Sequence, residues 1–296
     1  MNLNKKGVAA TTVCYVMWGF LTIFWKQLSD VNAYYLLAVR IVWATGFCFL
    51  LLCCLRQLGA VRQVLRNRRA LLLTALAGVF VTINWGSFII AVNAGHVLQS
   101  SLGYYINPLF VILLSTIFFG EKLAKGEWAA IGLAAAGVLV MVVAKGVVPT
   151  YALIISGSFV VYGAIKKVAG IDSQVSLFLE VLIIFPLALF YMIFADKTGA
   201  GSAVMDAGRL WLLPMAGLVT AVPYLLYGYG VNTIPYSIIG IFQFINPTIQ
   251  LLVGTLIYHE AFTRYDAVTF CFVWVAVFIF LRARARKDRA LRKAQE

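Results

Sequence analysis

Ten long apolar stretches separated by short connections dominate this sequence. A helix that spans a bilayer needs about 20 mainly apolar residues. Because 62% of the 296 residues are hydrophobic and only 12% are charged, the chain has too few polar side chains to cover a soluble fold of this size. The sequence predicts an all-α integral membrane protein with ten transmembrane helices and no soluble domain. The predicted spans are residues 7–25, 34–55, 70–92, 98–119, 127–144, 149–165, 174–194, 210–229, 236–258 and 266–281.

Basic residues predict the orientation of these helices. The chain carries 24 Lys and Arg residues and a net charge of +13. If both termini lie in the cytoplasm, most of these residues fall on the inner side, as the positive-inside rule requires. We therefore expect a multi-pass protein of the cell's inner (plasma) membrane, and we interpret the charge as a topology signal rather than as a nucleic-acid surface. The outer connections then hold only Lys26, Lys145, Lys197, Arg209 and Arg264.

Motifs for catalysis and metal binding are missing from the sequence. The five cysteines lie inside apolar stretches and form no CxxC pair, so neither a disulfide framework nor a zinc site is indicated. The chain has no GxxxxGK[ST] phosphate loop, no GxSxG and no HExxH. These absences predict a protein that is not an enzyme, binds no metal or cofactor and is not driven directly by ATP.

An internal repeat divides the chain. Shifting the sequence by 139 residues aligns residues 77–123 with 216–262 without a gap, and both segments contain an Ile-Asn-Pro triplet followed by a glutamate at the same distance. Because each half holds five spans, an odd number, the halves insert with opposite topology. We expect two inverted five-helix repeats, at residues 1–148 and 149–282, and a basic cytoplasmic tail at 283–296. Inverted repeats are typical of secondary transporters, which bind substrate between the repeats.

Two prolines interrupt equivalent spans. Pro108 and Pro247 each remove a backbone hydrogen bond and crowd the carbonyl four residues earlier, at Tyr104 and Gln243. In hydrocarbon such carbonyls need new partners, and the adjacent Asn107 and Asn246 are placed to help. We predict two hinges at matched depth beside a polar patch. The alternative is that both prolines only adjust helix packing.

Two charges lie within spans, where a charged side chain is costly and normally faces a partner or a cavity. Arg40 lies about six residues from the outer end of its span and Glu180 about six residues from the inner end of its span, a depth difference of roughly 12 Å. We expect Arg40 to meet an anion and to stack on Trp43, although a structural role is an alternative. Glu180 is a protonatable group, a cation site or a partner for Lys166.

Polar and aromatic residues complete the predicted substrate site. Asn84, Trp85 and several tyrosines lie in spans that carry other polar groups, where they suit a planar or amphipathic solute. Lys26 ends the first span and either faces the cavity or extends to the lipid headgroups. The predicted substrate-binding residues are Lys26, Arg40, Trp43, Asn84, Trp85, Asn93, Gln99, Tyr104, Asn107, Tyr162, Glu180, Tyr224, Gln243 and Asn246, with Pro108 and Pro247 as hinges.

Two stretches carry a family resemblance. Residues 84–93 (NWGSFIIAVN) and 98–109 (LQSSLGYYINPL) resemble the RarD branch of the EamA-type transporters, in the drug/metabolite transporter superfamily. The resemblance covers nearly the whole chain and implies a fold of two five-helix repeats and export of small solutes such as amino acids, other metabolites or drugs. This chain has Gln99 where the family usually has Glu, which weakens a proton-coupled mechanism that depends on that position.

Three functions remain open at the level of the sequence. The first is a secondary exporter of small amphipathic or zwitterionic metabolites that works by alternating access. The second is a passive facilitator or channel, and the third is a membrane-embedded enzyme acting on a lipid. The expected partners are a small-molecule substrate and the lipid bilayer, with no nucleic acid. The sequence does not determine the oligomeric state.

Overall fold

The apolar stretches form helices. In the computed structural model, which describes residues 4–93, 97–146, 150–199, 201–202, 205–259 and 264–293, every regular element within these ranges is helical. The α-helices are α1 Lys5–Lys26, α2 Ala33–Cys54, α3 Leu58–Arg66, α4 Arg68–Asn93, α5 Val97–Phe119, α6 Lys125–Lys145, α7 Thr150–Ala169, α8 Ser173–Lys197, α9 Leu212–Thr233, α10 Tyr236–Phe242, α11 Ile245–Leu256 and α12 Arg264–Lys293.

Nine segments of the described chain are long and apolar enough to cross a membrane, with α10 and α11 counted together, and α5 contributes a shorter apolar helix, Gly103–Phe119. Large apolar side chains cover the outside of the bundle. Phe118, Val143, Leu187 and Leu256 are each at least 69% exposed. Such a surface needs a lipid environment, so the prediction of an all-helical, multi-pass membrane protein is confirmed.

Local sequence signals fix several helix ends. The side chain of Asn4 accepts hydrogen bonds from the backbone N–H groups of Lys6 and Gly7, and Asn32 caps α2 in the same way. Such caps replace bonds that the first turn cannot make internally. Gly146 ends α6 with a φ of 60°, a left-handed conformation in which a side chain would be strained.

The most extensive helix contacts join the two halves of the chain. Helix α1 packs on α9 and α11, α2 on α8 and α9, α4 on α7 and α8, α5 on α7 and α10, and α6 on α12. Glycines permit some of these close approaches. At Gly217 of α9, a Cβ atom would collide with the backbone of α2 at Trp43 and Ala44. The halves therefore interlock.

Two features differ from the predicted secondary structure. The connection after α2 contains an amphipathic helix, α3, that was not predicted. Its apolar face buries Val61 and Val64, and its other face carries Arg62 and Arg66. In addition, most of the predicted basic tail does not separate from the last span, because α12 continues to Lys293.

The expectation of two equivalent proline kinks is wrong for the second half. Pro108 lies inside the continuous helix α5, whereas Pro247 lies in the first turn of α11, after a break at Gln243 and Phe244. A proline in a first turn removes no helical hydrogen bond, because that N–H would have no partner in its own helix. The carbonyl of Gln243 instead accepts from the backbone N–H of Asn246 at 3.2 Å.

Candidate functional site

Arg40 lies near the start of α2 and faces aromatic rings. Its guanidinium carbon is 4.6 Å from the ring centroid of Trp25 and 5.4 Å from that of Trp85. Its Nε donates to the hydroxyl of Thr220 at 3.0 Å. In the described part of the chain, Arg40 has no carboxylate within ion-pair distance and its terminal nitrogens donate to no residue. The described residues therefore hold the cation in place without supplying a counter-charge.

Trp85 and Tyr224 lie beside Arg40 and contact each other. The indole Nε1 of Trp85 donates to the hydroxyl of Tyr224 at 2.7 Å, and the two rings meet nearly edge to face. These residues are separated by 139 positions, the offset of the internal repeat, so they are equivalent positions of α4 and α9. Their contact shows that equivalent positions of the two repeats meet at this point.

A cluster of aromatic side chains extends from Tyr224 deeper into the bundle. Neighbouring ring centroids in it lie 5.2–6.4 Å apart, within the range of favourable ring contacts. Rings at such distances form a continuous apolar and π-rich surface. This aromatic cluster consists of Tyr15, Trp18, Phe159, Tyr162, Tyr224 and Tyr227.

Glu180 lies on the other side of the aromatic cluster and is fully buried. Lys166 approaches its Oε1 at 2.7 Å, Tyr162 donates to its Oε2 at 2.9 Å, and the hydroxyl of Ser176 donates to Oε1. Lys166 also donates to Ser176 at 3.0 Å. Of the three roles considered for Glu180, this geometry favours a structural pair with Lys166, and Glu180 forms no ion pair with Arg40.

Several buried polar atoms near the helix break have no hydrogen-bond partner among the described residues. They include the hydroxyls of Tyr15 and Tyr227 and both amide atoms of Gln243. The Tyr15 hydroxyl faces the Gln243 amide and the Tyr227 hydroxyl faces that of Tyr236, but neither geometry makes a regular hydrogen bond. In α5, Oδ1 of Asn107 is likewise without a partner, whereas Asn246 accepts from Gln250 at 2.9 Å. Buried polar groups of this kind usually bind water or a polar ligand.

Other predicted site residues lie at or beyond the edge of this region. The expected stacking of Trp43 on Arg40 is wrong, because Trp43 is 45% exposed and the neighbouring rings are those of Trp25 and Trp85. Lys26 lies over the ring of Tyr258, 5.4 Å from its centroid. Asn84 donates to the carbonyl of Ile155 at 2.7 Å, and Tyr104 lies close to Arg40. The side chains of Asn93 and Gln99 are outside the described residues, as is Glu260.

Sequence reasoning missed some contacts in this region. The sequence predicts no role for Trp18, Trp25 or Thr220, all of which contact the site. The repeat offset, which pairs Trp85 with Tyr224, is the signal that could have placed these two rings together.

The apolar helices, the interlocked halves and the buried polar groups between them define a multi-pass membrane transporter. The chain belongs to the EamA-like transporter family, as a RarD-type member, since the model of that family matches residues 5–143 and again residues 148–282. The protein is thus a membrane transporter of the drug/metabolite type and not an enzyme. The resemblance seen in the sequence and the prediction that the chain is not an enzyme are confirmed.

Relatives of this chain carry transporter names. It is 40% identical to the uncharacterized transporter YojE of Bacillus subtilis (strain 168), over 97% of each chain. It is 37% identical to the protein RarD of Streptomyces exfoliatus, covering 98% of this chain and 95% of that one. A crystal structure with 17% identity superposes with a TM-score of 0.73 and covers 94% of this chain and 98% of the other, a likeness of fold.

Proposed function

We propose that this protein is a secondary transporter that exports small amphipathic or zwitterionic metabolites, such as amino acids or drugs. It has ten transmembrane helices in two inverted repeats, residues 1–148 and 149–282, and both termini lie in the cytoplasm. It resides in the inner (plasma) membrane. The asymmetric distribution of Lys and Arg supports this topology, and the two separate family matches support the repeats.

The environment of Arg40 carries the proposal. Within the described residues, this guanidinium rests on two indole rings and has one neutral hydrogen-bond partner and no carboxylate, which leaves its terminal donors for a ligand. Guanidinium and carboxylate groups match each other in a bidentate geometry. We assign Arg40 to the carboxylate of the substrate.

The aromatic cluster is suited to the rest of such a substrate. The faces of tyrosine and tryptophan rings attract cations and pack on apolar groups. The ammonium and side chain of a zwitterion bound at Arg40 would meet Trp18 and Tyr224, and the unpartnered amide of Gln243 lies beyond them. Glu180 takes no part in binding, because Lys166, Tyr162 and Ser176 already satisfy its carboxylate.

Alternating access needs parts of the chain that bend. The break between α10 and α11 and the proline-containing helix α5 occupy equivalent places in the two halves. We propose that both act as hinges, with the larger change of direction at the break, where the helix is already interrupted.

Counterflow in proteoliposomes tests this function. Vesicles loaded with a pool of unlabelled amino acids and aromatic metabolites receive labelled candidates outside, and uptake is followed over time. A carrier accumulates label transiently only when its own substrate is inside, whereas a channel shows no such acceleration. We expect the wild type to exchange one class of carboxylate-bearing solutes, Arg40→Ala to lose that exchange, and Arg62→Ala on the peripheral helix α3 to keep it. Equal exchange by all three proteins would reject the assignment of Arg40.

A further inference from the structure

A cavity open to the surface lies at the end of the bundle where α5 and α7 finish. Its volume is about 550 Å³. The charged residues in its wall come from both halves, with Glu121 and Lys122 after α5, Lys167 on α7, and Arg284 and Lys287 on α12. The proposed orientation places this cavity on the cytoplasmic side.

Among the described residues, the wall of this cavity carries four cationic side chains and one carboxylate, Glu121. Lys167 donates to two backbone carbonyls, those of Val231 at 3.1 Å and Ile234 at 2.8 Å, and lies within electrostatic range of Glu121. Arg284 and Lys287 share one carboxylate, the buried Glu127, at 3.2 Å and 4.0 Å.

The carboxylate in the cavity wall, that of Glu121, already accepts hydrogen bonds from the protein. Glu121 accepts from the backbone N–H groups of Tyr236 at 2.8 Å and Ser237 at 3.3 Å, and from the hydroxyl of Ser237. Lys122 forms no side-chain ion pair within the described residues. Four cationic side chains therefore line a cavity whose one described carboxylate, Glu121, is already hydrogen-bonded, while Glu127 lies buried behind Arg284 and Lys287.

We propose that this cavity binds a phosphate-bearing anion, either the headgroup of an acidic phospholipid or a soluble phosphorylated molecule. Arg284 lies one turn beyond Leu281, the last residue of the apolar run of α12, and Lys122 lies three residues beyond the end of α5, so the cations are at the depth of lipid phosphates. Basic pockets between helix ends on the cytoplasmic side suit such headgroups. The ligand bridges the two halves, because its cationic contacts come from both.

Native mass spectrometry of the full-length protein in detergent tests this site. The probes are phosphatidylglycerol, the zwitterionic phosphatidylcholine and soluble glycerol phosphate. Lys122→Gln/Lys287→Gln removes two cavity cations. Lys125→Gln/Arg289→Gln is the matched control, because it removes the same charge from exposed residues at the same end of the bundle that do not line the cavity.

We expect an anionic probe to bind better than phosphatidylcholine and to lose about tenfold in affinity in the cavity variant, with the control within about twofold of wild type. Binding of phosphatidylglycerol alone identifies a lipid, whereas binding of glycerol phosphate identifies a soluble ligand. An equal loss in both double variants, or no preference for the anionic probes, would overturn the proposal. If the double variant does not fold, Lys122→Gln replaces it, with Lys125→Gln as its control.

Discussion

Arg40 and Glu180 are each the eighth residue of the second helix in their half of the chain, α2 and α8, yet their surroundings are opposite in kind. Arg40 rests on tryptophan rings and one threonine hydroxyl, with no carboxylate in the described residues close enough for an ion pair. Glu180 is fully buried and holds three donors, including the ammonium of Lys166. The comparison teaches that the cost of a charge inside a membrane does not reveal its role. What separates a binding group from a structural one is whether its counter-charge is part of the protein.

Among the variants considered, Glu180→Ala is expected to lose the most stability. Replacing Glu180 by Ala leaves the ammonium of Lys166 buried without a counter-ion, which costs about 3–5 kcal/mol. We expect Glu180→Ala to unfold at a markedly lower temperature in detergent. The double variant Lys166→Met/Glu180→Leu, which removes both charges, should recover much of the loss. A stable Glu180→Ala protein that lost only exchange would instead make Glu180 part of the transport step.

Arg40 should show the reverse pattern. Removing its guanidinium deletes the proposed charge-assisted contact to substrate, worth about 1.5–3 kcal/mol, but no ion pair with a described residue. We expect Arg40→Ala to weaken substrate binding by about 10- to 100-fold while changing the unfolding temperature little. Binding measured by tryptophan fluorescence, alongside thermal unfolding, separates the two quantities. Arg40→Lys keeps the charge but loses the bidentate geometry, so its substrate affinity should lie between those of the wild type and Arg40→Ala.

The contact between Trp85 and Tyr224 should have a smaller effect. Tyr224→Phe removes the acceptor of the indole N–H, and the net loss for one neutral hydrogen bond is about 1 kcal/mol. Trp85→Phe removes the donor, and in the double variant the two losses should not add. Chemical denaturation of the four proteins measures this coupling. Additive losses would show that the bond contributes nothing to the packing of the two halves.

An exposed ion pair gives the smallest expected effect. Arg209 pairs with Asp30 between the two halves, and this guanidinium lowers the pKa of the Asp30 carboxyl. Because the pKa is lower in the folded protein, the pair stabilises it at neutral pH and the contribution disappears as the pH falls through the folded pKa. We expect Asp30→Asn to shift unfolding slightly at low salt and not at high salt, where exposed charges are screened. A large shift in the unfolding temperature at high salt would show that the Arg209–Asp30 pair stabilises the fold as strongly as the buried pair of Glu180 does.

The sequence sufficed for the features that depend on periodicity and composition. The apolar stretches, the repeat and the two charges within spans are all visible in one dimension, and the structure places helices over each predicted span. The high cost of burying a charge in hydrocarbon predicted that each of these two charges has a partner or faces a cavity. None of these conclusions needs knowledge of which helix packs on which.

The partners of those charges could not be predicted in this way. Arg40 bonds to Thr220, which is 180 residues further along the chain, and only the packing of α2 on α9 brings them together. The same limit applies to the choice between Trp43 and Trp25, since one turn of helix separates a ring over the guanidinium from a ring at the surface. The break before α11 was missed because a proline predicts a kink or a helix start equally well.

The interlocking of the two halves also bears on how the protein is made. The contacts of α1, α2, α4 and α5 lie mainly with helices that are synthesised later. At about 5–20 residues per second, the 180 residues between Arg40 and Thr220 take about 10–35 s to emerge from the ribosome. During that interval Arg40 lacks its partner Thr220, and the helix faces that will pack on the second half have no protein partner. We therefore expect the insertion machinery or the surrounding lipid to cover these helix faces until the second half of the transporter is inserted.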